Sequence, residues 1–256
     1  MNTPTTGIVI PIIRKKYILN LIENINDIIN NNRYAICVVN DGNNKINNYL
    51  KNQLPENVYL LNLENNMCFS GANNKGWKFL INKFPDIKYL GTINDDTIPQ
   101  INWLQSLEKT LTDNNNVGAC SPVMITYEGF FERKKYTSTY KLCDIKKPMI
   151  IDERKIECDT YVSILPGFCL LAKTKILKEV NFFDEDYKNS CEDLDLSLKI
   201  RNNKYDLMTT AHAHVLHHVG QSRFSSNVTN VNTNIKKSRA LLIQKWGENL
   251  KKYNIT

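Results

Sequence analysis

Several familiar signatures are missing from these 256 residues. There is no G-x-x-x-x-G-K-[ST] loop, which argues against a P-loop nucleotide hydrolase. No G-x-G-x-x-G follows the first apolar run, which argues against a dinucleotide-binding enzyme. No G-x-S-x-G elbow offers a serine nucleophile. The seven cysteines, Cys37, Cys68, Cys120, Cys143, Cys158, Cys169 and Cys191, are odd in number, scattered, and form no C-x-x-C pair. That disfavours a disulfide framework or a structural zinc site and fits a reducing, cytoplasmic compartment. No window reaches the roughly 18 apolar residues of a membrane span. The stretch from Met1 to Gly7 is polar and lacks a basic n-region, so no signal peptide is expected. Neither an internal repeat nor a linker composition divides the chain.

What is present suits a packed domain. Hydrophobic residues make up 42% and charged residues 23%, an ordinary globular balance. The formal charge of +7 suits a phosphate-rich substrate or peripheral contact with an anionic membrane, and equally an ordinary solvated surface. No nucleic-acid-binding motif accompanies it, so no nucleic-acid partner is expected.

Apolar runs alternate with helical patterns. Gly7–Ile13, Tyr34–Val39, Val58–Leu63 and Ile87–Ile93 read as strands. Tyr17–Ile29, Asn47–Leu54 and Gly71–Asn82 read as helices between them. That rhythm predicts an α/β fold with a mostly parallel sheet flanked by helices, whose ligands bind past the carboxyl ends of the strands. Further on, Ile101–Thr112, Lys173–Val180, Glu192–Asn202 and Val231–Trp246 read as helices. Gly118–Thr126, Val162–Ala172 and Tyr205–Leu216 read as strands, the second interrupted by Pro166-Gly167. Tyr127 to Lys155 is charged and aperiodic and reads as a flap or hairpin insert. One domain over 1–256 is expected, in two halves, the first to about residue 98 and the second over about 99–225, with a C-terminal helical segment over about 226–256.

Three groups carry candidate chemistry. Asn94-Asp95-Asp96 follows an apolar run, and two adjacent carboxylates at a strand end ask for a cation or for donors. Glu192-Asp193-Leu194-Asp195 opens a predicted helix. Acids there favour the helix dipole, and an exposed one is also placed to act as a general base. All four histidines, His212, His214, His217 and His218, fall within seven residues, a pattern that suits a metal or phosphate contact.

The order of these pieces resembles glycosyltransferase family 2, the inverting GT-A type, especially its rhamnosyltransferase-like branch. Ile8-Val9-Ile10-Pro11 resembles the opening strand. Val38-Val39-Asn40-Asp41-Gly42 resembles the second, ending in the base-binding acid. The stretch from Asn66 to Gly76 resembles N-x-G-F-x-x-A-x-N-x-G, and Ile93 to Thr97 resembles the D-x-D site. Gly167-Phe168 through Glu185 resembles the acceptor-side segment. Cys191 to Leu196 resembles E-D-x-D-L, and His217 to Ser222 resembles a late H-x-x-G-x-S element. The resemblance spans about residues 7 to 224. There are four departures: Asn94 for the first Asp of D-x-D, Cys68 and Asn181 where glycine is usual, and Lys199 where arginine is frequent.

The resemblance implies a Rossmann-like nucleotide half and an acceptor half. It further implies inverting transfer of a hexosyl or deoxyhexosyl unit from a UDP-, dTDP- or GDP-linked sugar to a glycan or lipid-linked acceptor hydroxyl, in glycan or polysaccharide synthesis. Pro11, Asp41, Asn73, Asn74, Asn94 and Asp95 would contact the nucleotide sugar. Asp96, with His217 as a further ligand, would hold Mn²⁺ or Mg²⁺. Gly167 and Phe168 would lie on the acceptor side. Asp193 would be the catalytic base, with Glu192 and Asp195 as assisting or rival acids. The alternatives are an inactive sugar-nucleotide-binding module and a sugar nucleotidyltransferase. Retention of both Asp96 and Asp193 argues against the first, and the lack of a glycine in Ile12-Ile13-Arg14-Lys15-Lys16 argues against the second.

Overall fold

A computed structural model describes residues 3–128, 133–137, 140–141, 150–151, 158–218 and 228–250. The first half alternates strictly: β1 (Thr6–Ile12), α1 (Ile18–Asn24), α2 (Asn26–Ile29), β2 (Tyr34–Asn40), α3 (Asn47–Gln53), β3 (Val58–Asn62), α4 (Cys68–Lys83) and β4 (Tyr89–Ile93). The second half is more irregular: β5 (Thr97–Pro99), α5 (Trp103–Asp113), β6 (Val117–Glu128), β7 (Arg133–Thr137), β8 (Tyr140–Lys141), β9 (Ile150–Ile151), β10 (Thr160–Tyr161), β11 (Cys169–Lys173), α6 (Thr174–Glu179), α7 (Glu192–Asn202), β12 (Asp206–His217) and α8 (Val228–Leu250).

The strands join in the order β10-β12-β6-β11-β4-β1-β2-β3. β1 runs parallel to β2 and β4, β2 parallel to β3, and β12 parallel to β6. β11 is inserted antiparallel between β4 and β6, and β5 is added antiparallel to the end of β12. The mostly parallel sheet is therefore as expected, but the apolar run 162–172 is a strand only from Cys169 onward. Pro166-Gly167 ends the looser part, since proline has no ladder donor.

Both faces of the sheet are buried, as a parallel sheet requires. Ile8, Ile10 and Ile12 of β1 face one core with Ile18, Leu21, Leu104 and Leu107, while Val9 faces the other with Trp77 and Leu80 of α4. The period-2 alternation of the strand divides these side chains between the two layers. The helix expected over 17–29 breaks at Ile25, whose φ of −110° and ψ of 21° leave the helical region. Its apolar stripe survives the break, with Leu21, Ile25 and Ile28 all buried. A third cluster joins Leu194 and Leu198 of α7 to Leu242 and Leu250 of α8. Ile200 of the same helix packs instead into the second core. Most of the flap expected over 127–155 lies outside the described residues. Among the described residues, no helix is long and apolar enough to cross a membrane.

Candidate active site

The candidate residues collect where the parallel strands end. Pro11 lies next to the last residue of β1, opposite Val39 of β2. Asp41 follows β2 directly, and its N–H donates to the Ile12 carbonyl at 2.8 Å. Its carboxylate is buried and accepts from the backbone N–H of Met67 at 2.6 Å. Burial pushes the carboxyl up to about 6, against the opposing pull of the Met67 and Cys68 N–H groups and the Lys188 charge. The turn depends on Gly42, at φ 77°. A Cβ there would stand 2.4 Å from the Asn66 nitrogen, so only glycine lets the 65–66 loop come this close.

α4 starts at that loop. Cys68 opens it at φ 59°, and Asn181 sits at φ 56°. These are the two places where the family resemblance expects glycine, and both lie in the left-handed region that explains the preference. Asn73 is fully buried. Its amide donates to the Phe69 carbonyl at 2.9 Å, and its Oδ1 has no hydrogen-bond partner among the described residues. Asn74 is committed elsewhere. Its Nδ2 donates to the Phe183 carbonyl and to Glu185 Oε1, both at 2.9 Å, and its Oδ1 accepts from Phe183 N at 3.1 Å. It therefore fastens the 183–185 segment to α4.

Asn94, Asp95 and Asp96 leave β4 at its carboxyl end. The Asn94 N–H donates to the Phe168 carbonyl at 2.8 Å, and its amide lies 3.5 Å from His217 Nε2. Asp95 is pushed up to about 7, chiefly by burial and then by the Asp96 charge, with Arg14 opposing. Pairing of β5 with β12 places His217 opposite Thr97, so His217 Nε2 comes within 3.3 Å of Asp96 Oδ1. Both side chains are buried, and Phe168 stacks on the imidazole at 4.9 Å between centroids and 14° between planes.

The side chains of the other histidines point away from the Asp96–His217 pair, although the His218 backbone N–H donates to the Asp96 carbonyl at 2.9 Å. His212 is exposed and His214 half-buried on the opposite face of β12, and His218 stacks against Tyr17. Strand alternation separates what the sequence clusters. Among the described residues no group of three or more His, Cys, Asp and Glu is arranged to hold an ion. The Asp96–His217 pair is the donor set that is present; apart from their 3.3 Å contact, Asp96 Oδ1 and His217 Nδ1 are buried without a hydrogen-bond partner among the described residues.

The second acidic group opens α7. Cys191 precedes it at φ 70°. Asp193 Oδ2 accepts from the Gly167 N–H at 3.0 Å, and Oδ1 accepts from Leu194 N at 2.9 Å. Glu192 is half-buried, and the Cys68 thiol at the start of α4 is raised chiefly by burial, with the Asp41 and Glu192 charges adding and Lys188 opposing. Asp195 is buried and structural in its contacts: Oδ1 accepts from Trp246 Nε1 at 2.9 Å, and Oδ2 lies 3.3 Å from Lys199 Nζ. Lys199, standing where arginine is frequent, also donates to the Phe182 carbonyl at 2.6 Å. Phe168 thus binds the two acidic groups together, its carbonyl on Asn94 and its neighbour Gly167 on Asp193. The sequence marks these two residues as acceptor-side but gives no sign of that bracing role, nor of Trp246.

A sheet of this order, with one antiparallel strand beside an acidic strand end and a second acidic helix start across from it, defines a GT-A type α/β domain. The chain belongs to Glycosyl transferase family 2, which it matches over residues 7–180. Among solved structures it is similar to GalNAc-T7 crystallised with UDP, GalNAc and Mn²⁺, with TM-score 0.71, 14% identity, and coverage of 99% of this chain and 50% of that one. It is also similar to S. aureus TarS 1-349, with TM-score 0.58, 13% identity and coverage of 96% and 74%. A third likeness is the mannosyltransferase PcManGT of Pyrobaculum calidifontis in complex with GDP-Man and Mn²⁺, with TM-score 0.60, 14% identity and coverage of 86% and 58%. The chain therefore spans about half the length of the first of these. No curated protein matches it in sequence.

Proposed function

We propose that this protein transfers a sugar from a nucleoside diphosphate sugar to an acceptor hydroxyl, with a divalent cation and with inversion at the anomeric carbon. The observation that carries the reading is the buried Asp96–His217 pair at 3.3 Å, braced through Phe168 and Gly167 to Asp193. The Asp96 carboxylate suits Mn²⁺ or Mg²⁺, the His217 imidazole favours Mn²⁺ of the two, and two protein ligands would leave coordination positions for phosphate oxygens of the donor. Oδ1 of Asp96, buried with no contact from a donor but the His217 imidazole among the described residues, fits such a ligand. When bound, the cation supplies neutralisation of the charge that grows on the departing diphosphate.

The chain's own groups do the rest. Asp41, at the end of β2, is placed to receive the base, with Pro11 and Asn73 near the nucleoside. Asn74 works at one remove by holding the 183–185 segment. Asn94 and Asp95 border the donor. Gly167 and Phe168 form the wall between donor and acceptor. Asp193 takes the proton of the attacking hydroxyl at its carboxylate, and Glu192 orients that hydroxyl. GalNAc-T7 was crystallised with UDP and the mannosyltransferase with GDP-Man, so a UDP- or GDP-linked donor has support from the fold's relatives, beside a dTDP-linked one. A glycan or lipid-linked acceptor, a hexosyl or deoxyhexosyl unit, the rhamnosyltransferase-like branch and a cytoplasmic place of work belong to the same proposal.

The test is product detection with a panel of sugar nucleotides, in Mn²⁺ and in excess chelator, for wild type and Asp96→Ala. Transfer in Mn²⁺ that both the chelator and Asp96→Ala abolish is the expected result. Full activity of Asp96→Ala in chelator overturns it.

A further inference from the structure

α7, which carries Asp193, and α8 both lie beyond the stretch that matches the family, and α8 holds α7 in place. Leu242 and Leu250 of α8 are buried with Leu194 and Leu198 of α7 and with Tyr187. Within this apolar seam one polar contact stands out. The indole N–H of Trp246 donates to Asp195 Oδ1 at 2.9 Å, and Asp195 is only 1% exposed. Its other oxygen lies 3.3 Å from Lys199 Nζ. Tyr187 stands beside the same carboxylate, and burial with that charge holds its phenol protonated well above the usual range. The segment leading into α7 is strapped to the same helix. Ser238 Oγ accepts from Lys188 N at 2.9 Å and donates to Lys188 O at 3.1 Å, and Lys245 pairs with Asp184.

Packing alone does not call for this arrangement. A leucine or phenylalanine at 246 would fill an apolar seam as well, without an N–H to place. The N–H is required because a buried carboxylate is costly without donors, and here Oδ2 has only the ion pair with Lys199 among the described residues. Asp195 and Asp193 stand in the same first turn of α7. Fixing Asp195 from α8 therefore sets the rotation of the turn from which Asp193 projects, while Gly167 fixes Asp193 itself from the other side.

We infer that Trp246 is a positioning residue for the transfer reaction, acting through Asp195 to set where Asp193 presents its carboxylate. This rests on the assignment of Asp193 as the base. The test is Trp246→Phe in the full chain, read first by amide hydrogen exchange. Exchange over residues 192–196 rises about tenfold while α5 is unchanged, as loss of a hydrogen bond to a charged group implies. In the transfer assay kcat falls about tenfold with the donor KM unchanged. Combining Trp246→Phe with Asp195→Ala costs no more than the worse single change, because each removes the same contact. Leu242→Val loosens the same seam without touching Asp195 and serves as the control, with kcat near wild type at a comparable loss of melting temperature. Unchanged exchange over 192–196, or an equal loss of kcat in Leu242→Val, overturns the inference. Should Trp246→Phe not fold, Asp195→Ala, which removes the acceptor, decides in the same exchange measurement. If the wild type transfers no sugar from any donor, the base assignment fails, and the exchange result still decides the coupling of α8 to α7.

Discussion

The backbone N–H of Gly167 and the Oδ2 of Asp193 are joined by a hydrogen bond of 3.0 Å. This bond ties the start of α7 to the residue that precedes Phe168, and so to the Asp96 side of the site. A side chain at 167 would disturb it. A Cβ there would stand 3.2 Å from Asp193 Cβ and 3.5 Å from Oδ2, so Asp193 must shift by a few tenths of an ångström. Gly167→Ala is expected to keep the fold, since the strain is local, and to lower turnover about tenfold or more, because a base works only within hydrogen-bond reach. Melting temperature and initial rate, measured on the same preparation, check this.

Asp41 gives a pH prediction for the ligand-free protein. Its folded value of about 6 stands above the ordinary 3.8, with burial as the main cause. Such a carboxyl favours folding fully below its unfolded value, and that contribution is lost as the pH rises through 6. At pH 7.5 the buried charge costs on the order of 2–3 kcal/mol. Asp41→Asn retains an acceptor for Met67 and removes the charge. It should melt about 5 °C above wild type at pH 7.5, with the difference shrinking toward zero at pH 4. A constant difference across that range would contradict the assignment.

The two departures from glycine should behave differently. Cys68 at φ 59° carries the ordinary penalty of a left-handed side chain, whereas Asn181 at φ 56° is of the type that tolerates it. Relief of strain, less the greater entropy of a glycine in the unfolded chain, leaves a gain of about 0.5–1 kcal/mol for Cys68→Gly. Asn181→Gly is expected within about 0.5 kcal/mol of neutral or slightly destabilising. Denaturant unfolding of both variants measures this directly.

The legible parts of the sequence were those set by local pattern. β1 to β4 and the stops at Asp41 and Asn94 follow from apolar runs and turn residues, and they place Asp41 and Asp96 at strand ends. What stayed hidden was set by distant partners. β5 is three residues long and exists because β12 pairs with it. The antiparallel run of β11 is a choice made by its neighbours β4 and β6, which no periodicity records. The histidines form one cluster in sequence, but a pleated strand sends only His217 toward Asp96. Asn74 is expected from the resemblance to contact the nucleotide sugar, and only the folded chain reveals the 183–185 segment that takes its amide.

The central claim is that Asp193 removes the acceptor proton while Asp96 serves the donor. The most direct measurement is turnover with saturating donor for Asp193→Asn, beside Glu192→Gln and Asp195→Asn, together with nucleoside diphosphate affinity in Mn²⁺. A hydroxyl attacks poorly until its proton leaves, so Asp193→Asn should lose a factor on the order of 10²–10⁴ in turnover while keeping the fold and the nucleotide affinity. Glu192→Gln should lose less, and Asp195→Asn should lose activity together with order at the start of α7. Near wild-type turnover in Asp193→Asn, with either neighbour inactive, would contradict the account.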